Sequence, residues 1–179
     1  MIRKKYKTSD FKGRGLTNFI KLQVMKYFRY NKQYTFVCTE CINNSDISAI
    51  NDTNLVEVEV KISKSDFLKE FDNSSRIKKL KHNVLQNDLN RKTYIKPNYF
   101  YFATTRELAP YIKNYLIDND IKYYGILVCE ENRIFNTRSH ISVYYKPKKI
   151  HSKKPNLTIF YKIGKRVQSE LIGLWEKFI

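Results

Sequence analysis

Residues 55–62, Leu-Val-Glu-Val-Glu-Val-Lys-Ile, alternate without a break. Val56, Val58, Val60 and Ile62 are apolar, and Glu57, Glu59 and Lys61 stand between them. Side chains of a strand point to opposite faces in turn, so this period forces two carboxylates and an ammonium onto one face. A helix would scatter the same residues around its circumference. An alternating E-x-E-x-K run is ordinary for the solvated face of an amphipathic strand. It is also what a metal-dependent site would need. The surrounding sequence decides between the two.

The strand closes a tight meander. Tyr34 to Ile42 is rich in β-branched and aromatic residues and predicts a strand. Asn-Asn-Ser-Asp is a turn, Asp46 to Ile50 a second short strand, Asn-Asp-Thr-Asn a second turn, and Leu55 to Ile62 the third strand. Ahead of it, the spacing of Phe19, Ile20, Val24 and Phe28 predicts a helix over 16–30. Behind it the period changes. Ser63 and Ser65 are good N-caps, and Asp66 suits the first turn of a helix that runs, with a polar interruption, to about Asn87. Asn98 to Thr104 and Tyr123 to Glu131 read as buried strands with a helix between them, Pro110 in its early part. Strand–helix alternation of this kind gives an α/β fold with a partly parallel sheet covered by helices. Beyond 131 the chain reads as a basic extension: two β-like stretches around a Lys/Pro-rich loop, a hairpin with a basic tip, then a helix with Leu171, Leu174, Trp175 and Phe178 on its apolar face. We expect Trp175 in the core. The domain reading is 1–131 as the core with a basic N-terminal arm, and 132–179 as a β-like extension and C-terminal helix packed on it.

Charge is distributed unevenly. Residues 1–39 hold ten Lys/Arg against Asp10 alone, residues 132–169 hold ten and no acid, and residues 40–131 hold thirteen against fourteen acids. Two basic arms thus flank a nearly neutral centre. Such flanks attract polyanions and neutralise phosphates, which makes nucleic acid the expected partner. A Lys- and Asn-rich composition explains a basic surface but not the gathering of the acids. No apolar run is long enough to span a bilayer, and the basic N-terminus leads into no apolar signal stretch. The expected setting is therefore intracellular, that is cytoplasmic, with no membrane partner. Cys38 and Cys41 form a lone C-x-x-C without a second ligand pair, so they read as small apolar residues and not as a zinc site. There is no P-loop, no G-x-G-x-x-G and no H-E-x-x-H.

Asp46 opens the strand beside the one bearing Glu57, Glu59 and Lys61. Facing residues of neighbouring strands have Cβ atoms about 5 Å apart. Carboxylates meeting there with a backbone carbonyl make a hard oxygen site suited to Mg²⁺. A lysine on the same face can orient or activate an attacking water and offset charge on phosphoryl oxygens.

Asp46 followed by Glu59-Val60-Lys61 resembles the D…(D/E)-x-K signature of the PD-(D/E)XK nuclease superfamily. The segments EVEVKISKSDFLKEF, KLKH and PNYFYFAT…YYGILVCEE resemble a branch of small bacterial and phage proteins that includes the DNA-repair-associated MmcB-like endonucleases. The resemblance covers roughly Tyr34 to Glu131. It implies a restriction-endonuclease-like mixed sheet flanked by helices and Mg²⁺-dependent hydrolysis of DNA, with Mn²⁺ as a substitute, in repair, recombination or phage DNA processing. Asp46, Glu59 and the Val60 carbonyl would hold the metal, and Lys61 would be the catalytic lysine. Glu57, Glu40, Ser63 and Asp66 would be supporting residues. Lys81, His82, Lys148, Lys149, Lys153 and Lys154 would touch nucleic acid, although His82 alone fits a surface or capping histidine and Lys78 and Lys79 fit a solvated helix face. The chain departs from the pattern in two places. Ser45, not proline, precedes Asp46, and the helix over 16–30 has no acid to add a ligand. Two other classes stay open: a nucleic-acid-binding protein of nuclease fold without turnover, and an assembly protein whose arms contact nucleic acid or an acidic partner. Self-association into a homodimer is also open.

Overall fold

A computed structural model of the chain describes residues 10–72, 76–86, 94–130 and 139–178. The charge-bearing N-terminal residues 1–9 and the 131–138 segment lie outside them, as do the side chains of Lys78 and Lys79. Six strands form one sheet: β1 (Phe36–Thr39), β2 (Ile47–Ile50), β3 (Leu55–Val60), β4 (Tyr99–Thr105), β5 (Tyr124–Cys129) and β6 (Ile141–Tyr145). Their spatial order is their chain order. The meander β1–β2–β3 is antiparallel, β3–β4–β5 are parallel, and β6 returns antiparallel to β5.

Five helices cover the sheet: α1 (Gly13–Lys26, closed by a π turn at Tyr27–Asn31), α2 (Lys64–Leu68), α3 (Arg76–Gln86), α4 (Ala109–Asp118) and α5 (Leu157–Trp175). Parallel pairing needs crossovers, and α2 with α3, then α4, supply them. The registers sort the faces. Val56, Val58 and Val60 point to α1, where Phe19, Ile20 and Val24 meet them together with Ala103 and Leu127. The opposite face holds two apolar patches. Phe100, Phe102, Tyr124 and Ile126 lie under Phe67 of α2, Leu85 of α3 and Ile112 and Leu116 of α4. Cys38, Ile50 and Leu55 lie under Ile163 of α5. Glu57 and Glu59 stand on this second face.

The sequence beyond 131 behaves differently from expectation. Only its first β-like stretch is a strand, and that strand, β6, completes the sheet by pairing with β5. The second stretch is the start of α5, so there is no hairpin. Asn156 caps α5 by accepting the Ile159 N–H at 3.1 Å. Ile159, Ile163 and Val167 then fall at helical spacing on the inward side. Tertiary packing overrides the β-propensity of Leu-Thr-Ile-Phe-Tyr. Trp175 is 65% exposed and Leu171 and Leu174 are more than half exposed, so the last turns of α5 do not join the core formed by the described residues.

Candidate active site

The reacting-group candidates gather where β2 begins and β3 ends. Ile47 pairs with Val58, so one further step of that register sets Asp46 opposite Glu59. Asp46 Oδ2 accepts the Val60 N–H at 2.8 Å, which ties its carboxylate to the end of β3. Its other oxygen, Oδ1, meets Lys21 Nζ of α1 at 2.7 Å. Burial opposes the Lys21 charge, but the hydrogen bond to Asp46 and the charges of Asp46 and Glu40 outweigh it and raise its pKa. The turn before Asp46 is shaped by left-handed residues, with φ of +49° at Glu40, +52° at Asn43 and +56° at Asn44. Asparagine tolerates that region better than most residues.

Beside this lies a buried charge cluster. Lys61 Nζ donates to Glu70 Oε2 at 2.7 Å and stands 3.9 Å from Glu59 Oε2. Lys81 Nζ of α3 bridges Glu59 Oε1 at 2.5 Å and Glu70 Oε1 at 3.4 Å, and lies 4.9 Å from the centre of the Phe100 ring. His82 Nδ1 is 2.5 Å from the Tyr124 hydroxyl. Its Nε2 is 3.3 Å from Glu70 Oε1 but off the line of a good hydrogen bond. Burial alone would raise Glu70. His82, Lys81 and Lys61 outweigh it and hold Glu70 well below the usual carboxylate range. Glu59 goes the other way: burial raises it, and Lys81 and Lys61 offset this only in part. Burial also lowers the His82 pKa, against the pull of Glu70.

Glu57, two residues back on the same face, is fully buried. The Tyr94 hydroxyl donates to it at 2.9 Å, and Asn43 Nδ2 donates to its other oxygen. Burial pushes its pKa up to about 7, with Lys81, Tyr94 and Asn43 pulling against that rise. Asn43 also receives the Ile95 N–H and donates to the Ile95 carbonyl, so the turn and the segment leading to β4 are locked over Glu57.

In register Asp46 stands opposite Glu59 and is tied to the Val60 N–H, and Lys61 and Glu57 share the Glu59 face, but the Asp46 carboxylate is paired with Lys21 of α1 whereas Glu59 is paired with Lys81 and Lys61. The structure corrects several other expectations. Glu40 is not on β1, which ends at Thr39. It sits in the turn, with its side chain 62% exposed and 3.6 Å from Lys21. Ser63 and Asp66 serve the start of α2. Ser63 Oγ accepts the Asp66 N–H at 3.1 Å, and Asp66 lies 3.5 Å from the Ile62 N–H. Neither side chain enters the cluster. Lys81 and His82 are buried in it and are not on a nucleic-acid-facing surface, and His82 stacks on Phe71. Lys148, Lys149, Lys153 and Lys154 are exposed, at the opposite end of the sheet.

Glu70 and Lys21 were not foreseen as members of the site. Glu70 had a readable signal. Phe67, Glu70 and Phe71 fall at i, i+3, i+4 spacing, which on a helix shares one side. However, α2 ends at Leu68, and it is the turn after it, with the Glu70 N–H on the Phe67 carbonyl, that carries the acid. Lys21 had none, because its partner comes from a different layer. The first helix therefore sends a cation, and not a carboxylate, to Asp46.

The donors suit a hard divalent cation in kind. Asp46 and Glu59 are two carboxylates at facing positions. In an extended strand a residue's N–H and C=O point to the same neighbour, so the Val60 carbonyl shares the Asp46 side. Mg²⁺ is commonly bound through one or two carboxylates plus water and substrate phosphate, not by an all-protein cage. Among the described residues no group of three or more His, Cys, Asp or Glu side chains is placed to hold a metal ion. Asp46, Glu59 and the Val60 carbonyl would therefore hold such a cation only together with water and substrate phosphate, and in the structure the two carboxylates are held by the Lys21 and Lys81 ammoniums.

No protein-family model matches the chain, and no curated protein does. Among solved structures, a protein of unknown function from Silicibacter pomeroyi is similar in fold, with a TM-score of 0.56 and 10% identity over 90% of this chain and 92% of that one. At that identity the likeness shows the α/β fold alone. No helix among the described residues is long and apolar enough to cross a membrane.

Proposed function

We propose that the protein is a Mg²⁺-dependent deoxyribonuclease of restriction-endonuclease-like fold that hydrolyses phosphodiester bonds in DNA repair, recombination or phage DNA processing. One observation carries the reading: Asp46 is tied to the end of β3 beside Glu59, and Lys61 follows on the same face with its ammonium 3.9 Å from the Glu59 carboxylate. Asp46, Glu59 and the Val60 carbonyl would hold the metal, which when bound supplies Lewis-acid polarisation of the phosphate and a more acidic water. Lys61 orients the water and offsets charge on the phosphoryl oxygens. Glu70 positions Lys61 from behind. Lys81 opposes the rise that burial gives the Glu59 pKa.

A second reading, a DNA-binding protein of the same fold without turnover, is favoured by a different observation. Both carboxylates offered to a metal already carry an ammonium of the chain, Lys21 on Asp46 and Lys81 on Glu59. Incubation of duplex, single-stranded, forked and four-way DNA with Mg²⁺ or Mn²⁺ separates the two. The nuclease cuts at least one form, and loses cleavage but not binding in Asp46→Asn. The inactive protein binds with no metal effect.

A further inference from the structure

The segment between β6 and α5 was expected to be the tip of a hairpin. It is instead a built ridge along the N-terminal edge of the parallel strands. Asn98, just ahead of β4, is 1% exposed and holds the ridge by its side chain, with Nδ2 donating to the His151 carbonyl at 3.0 Å and the Lys153 carbonyl at 2.9 Å. The Ile150 N–H donates to the Asn98 carbonyl at 2.9 Å, and His151 Nε2 lies 2.9 Å from the Lys96 carbonyl. Pro147 presses on Gly125 of β5, where a Cβ would meet its Cδ at 2.8 Å and the Tyr101 ring at 2.6 Å, so only glycine fits there. Ile150 packs into the apolar patch on the carboxylate-bearing face. The backbone is pinned at four places, and what it presents outward is Lys146, Lys148, Lys149, Lys153 and Lys154.

Two features narrow the partner. From 139 to 169 the chain has no acid, so nothing on this ridge offsets its charge. From 146 to 156 the exposed residues are Lys, Ser and Asn, and the nearest exposed apolar side chains, Tyr144 and Leu157, lie outside the ridge at its two ends. A membrane surface is usually engaged through an apolar face as well as charge. A row of phosphates needs charge alone.

The ridge is also remote from the candidate active site. Asn98 Oδ1 accepts the N–H of Leu55, the first residue of β3, whereas Lys61 lies just past its last. Six residues of strand span about 20 Å, which is about six base pairs at 3.4 Å per step.

We propose that the 146–154 ridge is a non-catalytic anchor for the backbone of duplex DNA, set about six base pairs from the Asp46/Glu59/Lys61 end. The distance rests on the nuclease reading. The anchor itself does not. Phosphate contacts of this kind set position without reading sequence.

The test is fluorescence anisotropy on a labelled duplex of about twenty base pairs over a range of salt, with cleavage followed on the same preparations. The variant Lys148→Ala/Lys153→Ala/Lys154→Ala is compared with Lys12→Ala/Lys26→Ala/Lys32→Ala, before, on and after α1, which removes equal charge elsewhere. All six side chains are at least partly solvent-exposed, and thermal melting checks the fold. The ridge variant is expected to bind tenfold or more weakly and to lower the log–log salt slope by about 2–3, at about 0.9 per lost phosphate contact. The control should change the slope by less than about 1. Equal losses in both variants, or none in the ridge variant, overturn the anchor. So does tighter binding of the wild type to phosphatidylserine vesicles or to polyglutamate than to DNA. If the wild type binds through the ridge and cuts no DNA, the anchor stands and the nuclease reading falls. If it cuts while the ridge variant binds as wild type, the reverse holds.

Discussion

The two faces of the sheet are built to opposite rules. Toward α1 the strands present Val56, Val58, Val60, Ala103 and Leu127 to Phe19, Ile20 and Val24, all of them buried, with the Lys21–Asp46 pair at one end of this face. On the other face two apolar patches are separated by a seam of three glutamates and two lysines: Glu57, Glu59, Glu70, Lys61 and Lys81. The first face needs only matched volume. The second must bury charges that cost several kcal/mol each to dehydrate, and paired charges are seldom better for stability than an apolar replacement. A fold that keeps such a seam in its interior is spending stability, which is the pattern of a functional site.

The seam is where the contrast breaks most easily. Lys81→Met removes the cation shared by Glu59 and Glu70, leaving buried carboxylates short of a partner. It should destabilise the protein by about 3–5 kcal/mol. The double change Lys81→Met with Glu59→Gln should recover a clear part of that loss in urea unfolding. If the single variant is as stable as wild type, the seam is not a paired network.

Ile20→Ala probes the apolar face, at a residue with no exposure. Its expected cost is about 2–5 kcal/mol from lost burial and the cavity left behind. Here no second substitution of a charged residue should rescue it, because no charge is involved.

A smaller effect separates the glutamates by sign. Glu57 has its folded pKa raised to about 7 by burial. Between the ordinary carboxylate value and that pH, the folded chain keeps a proton the unfolded chain has lost. Stability therefore falls as pH rises from about 4.5 to 7 and levels above it, by at most about 3 kcal/mol from this group. Glu57→Gln should flatten much of that fall in unfolding midpoints taken across the window, with Glu59 supplying the remainder in the same direction. Glu70 is depressed, so its contribution is present at neutral pH and is lost only in strong acid. An unchanged pH profile in Glu57→Gln would count against the buried, neutral-leaning carboxyl.

Much of the architecture could be read from the chain. The alternation over 55–62, the turn residues around Asp46 and the Ser63 cap each carry a local signal that the three-dimensional contacts agree with. The position of Asp46 beside Glu59 follows from a short turn and an antiparallel register, which are both local. The missing parts are those decided at a distance. Leu157–Ile163 has strand composition, yet becomes helix because Ile159, Ile163 and Val167 find an apolar patch on β1–β3. Lys21 reaches Asp46 from another layer and so has no signal in the chain, and Lys81 and His82, which read as nucleic-acid contacts, are drawn inward by Glu70 and Tyr124. Trp175 lies outside the core, because apolar spacing says which side it shares with its neighbours and not whether anything covers that side.

The central claim is that the Asp46/Glu59/Lys61 end of the seam is a reacting centre, and DNA cleavage with Mg²⁺ or Mn²⁺ by wild type beside Lys61→Ala tests it most directly. Wild type should cut at least one DNA form. Lys61→Ala should cut it at least about a hundredfold more slowly and melt lower, having lost the buried pair with Glu70, while binding DNA with near wild-type affinity at a temperature where it is still folded. Equal rates in the two proteins, or no cleavage of any form by the wild type with either metal, would contradict the account.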